Sequence, residues 1–333
     1  MNKADEPRIV LAPMEGVIDA PMRAFLTSIG GYHRCVTEFI RVTDVLLPER
    51  VFLRLCPELA TGGETQSGVP VYCQLLGSDP VAMAANARRA AALGTPGIDL
   101  NFGCPARTVN NSMGGSVLLQ YPDRLGNIVR AVRDAVPAGL PVTAKIRLGY
   151  ENHALLPEIV ENIRQAGASE LAIHARTKFD GYKPPAWWSS VKPVMYQGTS
   201  STYINGEIWT VADSCLALQA SGCEHLMLGR GALASPDLAR RIQSARRGYD
   251  LAPMPWSVVA SHVERQFLHT DCSSPRHIGN RTKQWLAYLK RAYSQADELF
   301  SMIRKLHDVP GITQAFAEHR RVVDNQCIRH CQV

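Results

Sequence analysis

Gly97-Ile98-Asp99-Leu100-Asn101-Phe102-Gly103-Cys104-Pro105, residues 97–105, carries a cysteine on a turn directly after a short apolar run. A run of this length, bounded by glycine and proline, predicts a buried strand that ends in a turn. Gly103 is predicted to let the backbone turn tightly, and Pro105 to fix the backbone that follows. Because free cysteine is among the most buried residue types, a buried structural thiol is the alternative to a functional one.

Similar short, β-branched runs recur on both sides of this stretch. Together they predict eight strands, at 9–13, 35–38, 71–75, 98–101, 142–147, 171–174, 202–205 and 226–229. Helical patterns fall between strands, for example at 80–93, 123–136 and 156–166. Eight alternations of strand and helix predict an α/β fold, the parallel (β/α)8 or TIM barrel. The strand at 202–205 has the weakest pattern, since residues 197–203 are polar and rich in serine and threonine.

The alternation stops after Gly248, and no further strand pattern follows. We therefore predict a barrel domain at 1–247 and a small all-helical domain at 248–333. Between residues 280 and 307, apolar side chains recur at steps of three and four, which predicts one buried helical face. That face comprises Trp285, Leu289, Ala292, Ala296, Leu299, Ile303 and Leu306.

Charge is distributed unevenly along the chain. Residues 1–240 hold 22 Lys and Arg and 22 Asp and Glu, so the whole net charge of +6 lies in the last 93 residues. This excess is typical of either an ordinary solvated helical surface or a module that binds a polyanion. The polar N-terminus and the lack of an apolar run of ~18 residues predict no signal peptide and no membrane span.

Nine scattered cysteines argue against a disulfide framework and favour a reducing cytoplasm. Cys327 and Cys331 flank His330, but there is no second ligand pair, so we expect no metal site.

Polar residues cluster at the predicted ends of the strands, where barrels place their active sites. Lys145 lies inside an apolar run and requires a partner, either Asp99 or a bound anion. A lone His174 is more often a core histidine, but it falls at the same barrel mouth. Glycine-flanked ends of strands seven and eight suit a phosphate site. This combination predicts flavin mononucleotide (FMN), whereas the lack of a G-x-G-x-x-G motif after a strand argues against a Rossmann nicotinamide site.

The order and spacing of these motifs resemble one known family, the tRNA-dihydrouridine synthases, most closely the bacterial C type. The resemblance spans residues 9–307 and rests on Leu11-Ala12-Pro13-Met14-Glu15-Gly16-Val17, Thr37-Glu38-Phe39-Ile40-Arg41-Val42, Gln74-Leu75-Leu76-Gly77, Asp99-Leu100-Asn101-Phe102-Gly103-Cys104-Pro105, Lys145-Ile146-Arg147-Leu148-Gly149, His174-Ala175-Arg176-Thr177, Asn205-Gly206-Glu207-Ile208-Trp209 and Met227-Leu228-Gly229-Arg230-Gly231-Ala232-Leu233.

The resemblance implies an enzyme that uses FMN and NADPH to reduce a D-loop uridine of tRNA, U16, to 5,6-dihydrouridine. We expect this enzyme to be cytoplasmic and monomeric. Hydride passes from flavin N5 to uracil C6, and Cys104 donates a proton to C5. The flavin residues it implies are Pro13, Met14, Glu15, Gln74, Lys145, His174, Asn205, Gly206, Glu207, Gly229 and Arg230. The tRNA-binding residues it implies are Arg41, Asn101, Tyr182, Arg281, Lys283, Tyr288 and Arg304.

Two other functions remain open at this point. A flavin barrel that acts on a small substrate would share the barrel and the phosphate site, but it gives no reason for the basic C-terminal domain. An inactive RNA-binding protein on a barrel scaffold would be colourless, whereas both flavoenzymes would be yellow.

Overall fold

Parallel strands form the centre of the molecule. The computed structural model describes residues 6–194, 201–270 and 277–330, with the backbone alone at 270 and 324–330. Within these ranges the strands are β1 (Ile9–Leu11), β2 (Arg34–Val36), β3 (Ile40–Arg41), β4 (Val71–Leu76), β5 (Ile98–Asn101), β6 (Val142–Arg147), β7 (Glu170–His174), β8 (Ser201–Asn205) and β9 (His225–Leu228). Every strand pairing among them is parallel.

The sheet closes into the predicted barrel. β1 pairs with both β2 and β9, and β2 also pairs with β4, which completes the ring. β2 and β3 both pair with β4 and together occupy one of eight positions. The strand predicted at 35–38 is therefore interrupted after Val36, where the Thr37 hydroxyl accepts a hydrogen bond from the Gln74 amide at 3.0 Å. The strand predicted at 202–205 from the weakest pattern is β8, and it pairs with β7 over five residues.

Helices surround the barrel, and three of them match the ranges predicted at 80–93, 123–136 and 156–166 to within one residue. Along the barrel they are α1 (Ala20–Ile29), α2 (Glu49–Leu55), α3 (Pro80–Ala92), α4 (Arg107–Asn110), α5 (Pro122–Ala135), α6 (Leu156–Gln165), α7 (Val211–Ser221), α8 (Arg230–Ala234) and α9 (Leu238–Arg246). Asp79 caps α3 by accepting from the Ala82 amide at 2.7 Å, and Thr210 and Asp213 form a capping box on α7. Short 3₁₀ turns lie at Pro57–Thr61, Gly115–Gln120 and Trp188–Val194.

The C-terminal region is helical, as predicted. It contains α10 (Trp256–Thr270), α11 (Asn280–Leu289), α12 (Ser294–Ile303) and α13 (Val309–His330). The apolar stripe at 280–307 is divided between α11 and α12, so Ala292 in the connecting turn is exposed rather than buried. Trp285 in α11 donates from Nε1 to the Leu233 carbonyl at 3.1 Å, which fixes α11 against the barrel. The domain boundary at residue 247 stays a prediction.

One end of the barrel is closed by its own side chains. At the N-terminal ends of the strands, the Arg34 guanidinium lies between the rings of Tyr72 and Tyr203, at 4.8 and 5.0 Å from their centroids. Glu170 pairs with Arg34 and, at 2.9 Å, with Arg8. Because Arg34 and Tyr203 are buried, this end has the features of a structural plug.

Among the described residues, no helix is both long enough and apolar enough to cross a membrane.

Candidate active site

The C-terminal ends of the strands surround a cavity of about 630 Å³. This is the end at which barrel enzymes carry their active sites. All eleven residues predicted to contact the flavin line the cavity, together with Cys104, Asn101, Tyr182 and Tyr288. The structure thus brings together side chains that lie up to 275 positions apart, between Pro13 and Tyr288.

The turn that carries Cys104 is shaped by Asn101. The Asn101 side-chain oxygen accepts hydrogen bonds from the backbone amides of Gly103 and Cys104, at 3.0 and 2.8 Å. Gly103 does not have a positive φ, so the tight turn depends on this side chain rather than on the conformational freedom of glycine. Gly115 packs against the same turn, where a Cβ atom would lie 2.6 Å from the Cys104 carbonyl oxygen.

A chain of buried hydrogen bonds holds Asn101 in turn. Its amide donates to Gln74 Oε1 at 2.8 Å, and Gln74 Nε2 donates to Asp99 Oδ2 at 2.6 Å. The hydroxyl of Thr143 donates to the other oxygen of Asp99 at 2.5 Å. The position of the Cys104 loop is therefore set from three neighbouring strands, β4, β5 and β6.

The environment of Cys104 favours the protonated thiol. Burial raises the pKa of Cys104, the carboxylate of Glu15 adds to this rise, and a hydrogen bond from the Ala106 amide together with Arg147 and Arg41 opposes it. A thiol with a raised pKa retains its proton at neutral pH. This environment suits a proton donor better than a thiolate nucleophile.

Lys145 enters the cavity from the middle of the barrel. Its Nζ donates to Asn205 Oδ1 at 3.1 Å, while Asn205 Nδ2 donates to the Met227 carbonyl at 2.8 Å. The alternative pair with Asp99 does not form, since the Asp99 carboxylate is held by Gln74 and Thr143. Burial, together with the charge of the nearby Arg147, lowers the pKa of Lys145 to about 8. An anion in the cavity would restore the favoured charge of this ammonium.

His174 is both buried and part of the cavity wall. Burial lowers the pKa of His174 well below its usual value, and the surrounding cations Arg147, Lys145, Arg176 and Arg230 reinforce the effect. The Arg176 guanidinium, which can only donate, lies 3.2 Å from His174 Nε2. Nε2 is therefore the acceptor, and the neutral ring carries its hydrogen on Nδ1.

Glu207 organises the cationic side of the cavity. Its Oε1 lies 2.7 Å from both Arg176 and Arg230, and its Oε2 accepts from Trp209 Nε1 at 3.0 Å. Burial would raise the pKa of Glu207, but hydrogen bonds from Trp209 and Arg176 lower it overall. Glu207 has a φ of 54°, a strained conformation for a non-glycine residue at a functional site.

Sequence analysis missed Arg147 and Arg176 as site residues. Arg147 donates to the Gly103 carbonyl at 2.7 Å and so supports the cysteine loop. Alternate residues of a strand face the same side, and Arg147 follows Lys145 by two positions within β6. This period of two was the signal that could have identified Arg147, whereas Arg176 lies after the end of β7 and has no such signal.

The residues present fit a flavin mononucleotide. The cavity volume lies within the range of small-molecule sites, ~300–1,000 Å³. The cavity wall contains three cationic side chains, Lys145, Arg147 and Arg230, and two carboxylates, Glu15 and Glu207. The excess positive charge suits a phosphate or an anionic ring. At Gly206, with a φ of 113°, a Cβ atom would lie 2.8 Å from the ring of His174, so only glycine keeps this wall open.

The predicted tRNA-binding residues divide into two groups. Asn101, Tyr182 and Tyr288 line the cavity. The other four lie outside its wall and stay predictions. Arg41 donates to Ser112 at 2.8 Å, and Arg281 pairs with Asp19. Lys283 donates to the Leu306 carbonyl at 2.5 Å, and Arg304 is exposed after α12.

No cluster of three or more His, Cys, Asp or Glu suited to a metal ion occurs in the described part of the chain. The side chains of Cys327, His330 and Cys331 lie outside it.

The chain matches a known protein family over most of its length. Residues 10–320 match the family model described as dihydrouridine synthase (Dus). The tRNA-dihydrouridine(16) synthase of Shewanella oneidensis is 50% identical over 297 residues, which cover 89% of this chain and 93% of the relative. The proteins of the same name from Pseudomonas putida and Vibrio cholerae are 47% and 48% identical, with 95% and 94% of this chain covered and 98% and 96% of the relatives.

A solved structure shares the fold at much lower identity. Histamine dehydrogenase from Rhizobium sp. 4-9 matches 72% of this chain with a TM-score of 0.53 and 15% sequence identity. The match covers 46% of that longer chain, so it supports the barrel fold alone.

Proposed function

The chain belongs to the dihydrouridine synthase family, and we propose that it reduces uridine 16 of tRNA to 5,6-dihydrouridine. The observation that carries the proposal is the meeting of a protonated thiol, Cys104, with all eleven predicted flavin residues around one cavity. The names of the relatives support tRNA and position 16 as the substrate. NADPH as reductant, a monomeric state and a cytoplasmic location are further parts of the proposal.

The bound cofactor is FMN in this proposal. When bound and reduced, it supplies the hydride that adds to C6 of the uracil ring. Lys145 and Arg230 are the side chains that would hold its negative charges.

The protein then has to complete the reduction at C5. Hydride addition to C6 leaves negative charge on C5 and the neighbouring carbonyl, and a proton must quench it. Cys104 supplies that proton and recovers one from solvent before the next cycle. The hydrogen bonds from Asn101 to the loop amides hold the thiol in place, and Arg147 fixes the loop from its other side.

The target uridine has to leave the folded RNA to reach this cavity. Extrusion of a base requires a pocket that receives it and a surface that holds the rest of the nucleic acid. Tyr182 and Tyr288 stand at the cavity wall from the barrel and from α11, with Tyr182 55% exposed. Their rings are suited to stack on an unpaired base.

Expression in bacteria that lack their own dihydrouridine synthases tests the proposal. Mapping of dihydrouridine in the tRNA of these cells should show the modified base at position 16. The purified protein should be yellow. A flavin-loaded protein that converts no uridine would refute the proposal. A colourless protein that binds tRNA would instead support the inactive RNA-binding alternative.

A further inference from the structure

A stacked pair of side chains joins the helical region to the barrel mouth. The Arg291 guanidinium, in the turn after α11, lies 3.9 Å from the centroid of the Trp209 ring. Arg230 lies 5.1 Å from the same ring, and Trp209 Nε1 donates to Glu207 at 3.0 Å. The ring is therefore fixed at its edge by Glu207 and offers a defined platform to Arg291.

Beside this pair lies a second open groove of about 720 Å³. Trp209, Arg230 and Tyr288 line both this groove and the active-site cavity, so the two are adjacent. Lys290 and Arg291 add positive charge to the groove, and its one carboxylate among the described residues, Asp297, lies 3.5 Å from Lys290.

Among the described residues, Arg291 has no carboxylate within 4 Å. The other cations of this groove do, since Arg230 is paired with Glu207 and Lys290 with Asp297. Stacking occupies the face of a guanidinium and leaves its in-plane N–H groups available. Those N–H groups match the geometry of phosphate oxygens. An exposed, stacked and unpaired arginine is thus preorganised to receive a phosphate.

We propose that Arg291, held on Trp209, is a positioning residue that binds a backbone phosphate of the RNA next to the target nucleotide. This inference rests on the proposed function and adds to it the path of the strand that leaves the cavity. The groove runs along the helical segment that carries the whole net charge of the chain, which favours a long polyanion. A nicotinamide dinucleotide offers the same phosphate chemistry, and the experiment separates the two.

Four variants of the flavin-loaded protein test the inference: Arg291→Ala, Arg291→Lys, Trp209→Phe and, as a matched control, Arg130→Ala, an exposed arginine on the outer helix α5. The first measurement is the affinity for unmodified tRNA over a series of salt concentrations. The second is the rate at which NADPH reduces the flavin without RNA.

Loss of one phosphate contact should weaken tRNA binding by Arg291→Ala about tenfold and reduce the slope of log K against log salt by about one. Arg291→Lys should keep the slope but regain only part of the affinity, because a lysine does not stack as a plane. Trp209→Phe, which keeps a ring, should lose less than Arg291→Ala. Flavin reduction should be unchanged in the two Arg291 variants, and the Arg130→Ala control should be unchanged in both measurements.

An unchanged affinity and salt slope in Arg291→Ala would overturn the inference while leaving the proposed function intact. Slower reduction by NADPH with normal tRNA binding would also overturn it and would assign the groove to the dinucleotide. A wild-type protein that neither binds nor modifies tRNA would refute the proposed function itself.

Discussion

The two ends of the barrel use similar side chains for opposite purposes. At the N-terminal end, the three guanidinium nitrogens of Arg8 contact His225, Glu170 and Ser201, and Arg34 is enclosed by two tyrosine rings. At the C-terminal end, Lys145 faces a cavity and donates a hydrogen bond to an amide oxygen, that of Asn205. Cations are buried at both ends, but only one end directs them into open space.

The contrast shows how a buried charge can be identified as functional. A cation whose partners are other protein groups stabilises the fold, or at least does not require a ligand. A cation that is desolvated beside a cavity without a carboxylate partner raises the free energy of the unliganded protein, and a bound anion lowers it again. Lys145 is of the second kind, and Arg34 is of the first.

The largest expected effect belongs to the open end. Replacement of the proton donor in Cys104→Ala should slow dihydrouridine formation about 10²–10⁴-fold, the usual contribution of a general acid. Single-turnover reduction of tRNA by the flavin-loaded variant measures this loss. Cys215→Ala, an exposed cysteine on α7, is the matched control. A loss below tenfold would place the acid elsewhere, and loss of the yellow colour would indicate that Cys104 supports the cofactor instead.

The closed end should respond in stability rather than in chemistry. Arg34→Met removes a buried partner of Glu170 and should lower the free energy of unfolding by about 3 kcal/mol, with Arg8 limiting the loss. Urea unfolding measures the change, and Arg320→Met, which removes a half-exposed arginine from its pair with Glu264, should lower the free energy of unfolding by about 1 kcal/mol or less. A variant as stable as the wild type would mean that the plug is not structural.

Lys145→Met should raise the stability of the flavin-free protein, whereas Arg34→Met lowers it, and the change should be smaller. In the flavin-free protein the folded pKa of about 8 lies below the ordinary value of 10.5, so the unfolded state binds the proton more tightly. The ammonium therefore destabilises the fold below pH 8, and this cost disappears as the pH rises from about 8 to 10.5.

We expect the variant to be about 1 kcal/mol more stable than the wild type at pH 7, with the difference shrinking over that pH window. Thermal unfolding of both flavin-free proteins between pH 7 and pH 10.5 measures it. A variant that is less stable at pH 7 would show that Lys145 is a structural cation like Arg34.

Most of the barrel could be predicted from the sequence because its signals are local. A short apolar run that ends in a turn residue identifies a strand without knowledge of its neighbours, and the helix starts at Pro80 and Pro122 are equally local. The division of the 280–307 stripe could not be predicted in this way. The turn between α11 and α12 keeps apolar residues at steps of three and four, so its sequence looks helical. The exposure of Ala292 in the structure shows where the helix is interrupted.

The site was predictable where a residue type is unusual in its context, as with Lys145 in an apolar strand. The partners of such residues were not predictable, since they depend on register and on side-chain direction across strands. The Asn101 hydrogen bonds to the cysteine loop and the Trp209–Arg291 stack are examples. Each joins residues whose proximity is set by the closed barrel or by packing of α11 rather than by sequence spacing.

Titration of the flavin-free protein with FMN tests the contrast between the two ends most directly. Loss of FMN fluorescence should show one site per chain in the wild type. Lys145→Met should weaken this site ten- to a hundredfold, the range for one hydrogen bond to a charged group. Arg34→Met, measured while folded, should bind FMN as the wild type does. Absence of FMN binding, or a Lys145→Met variant with wild-type affinity, would contradict the assignment of the open end as an anion site.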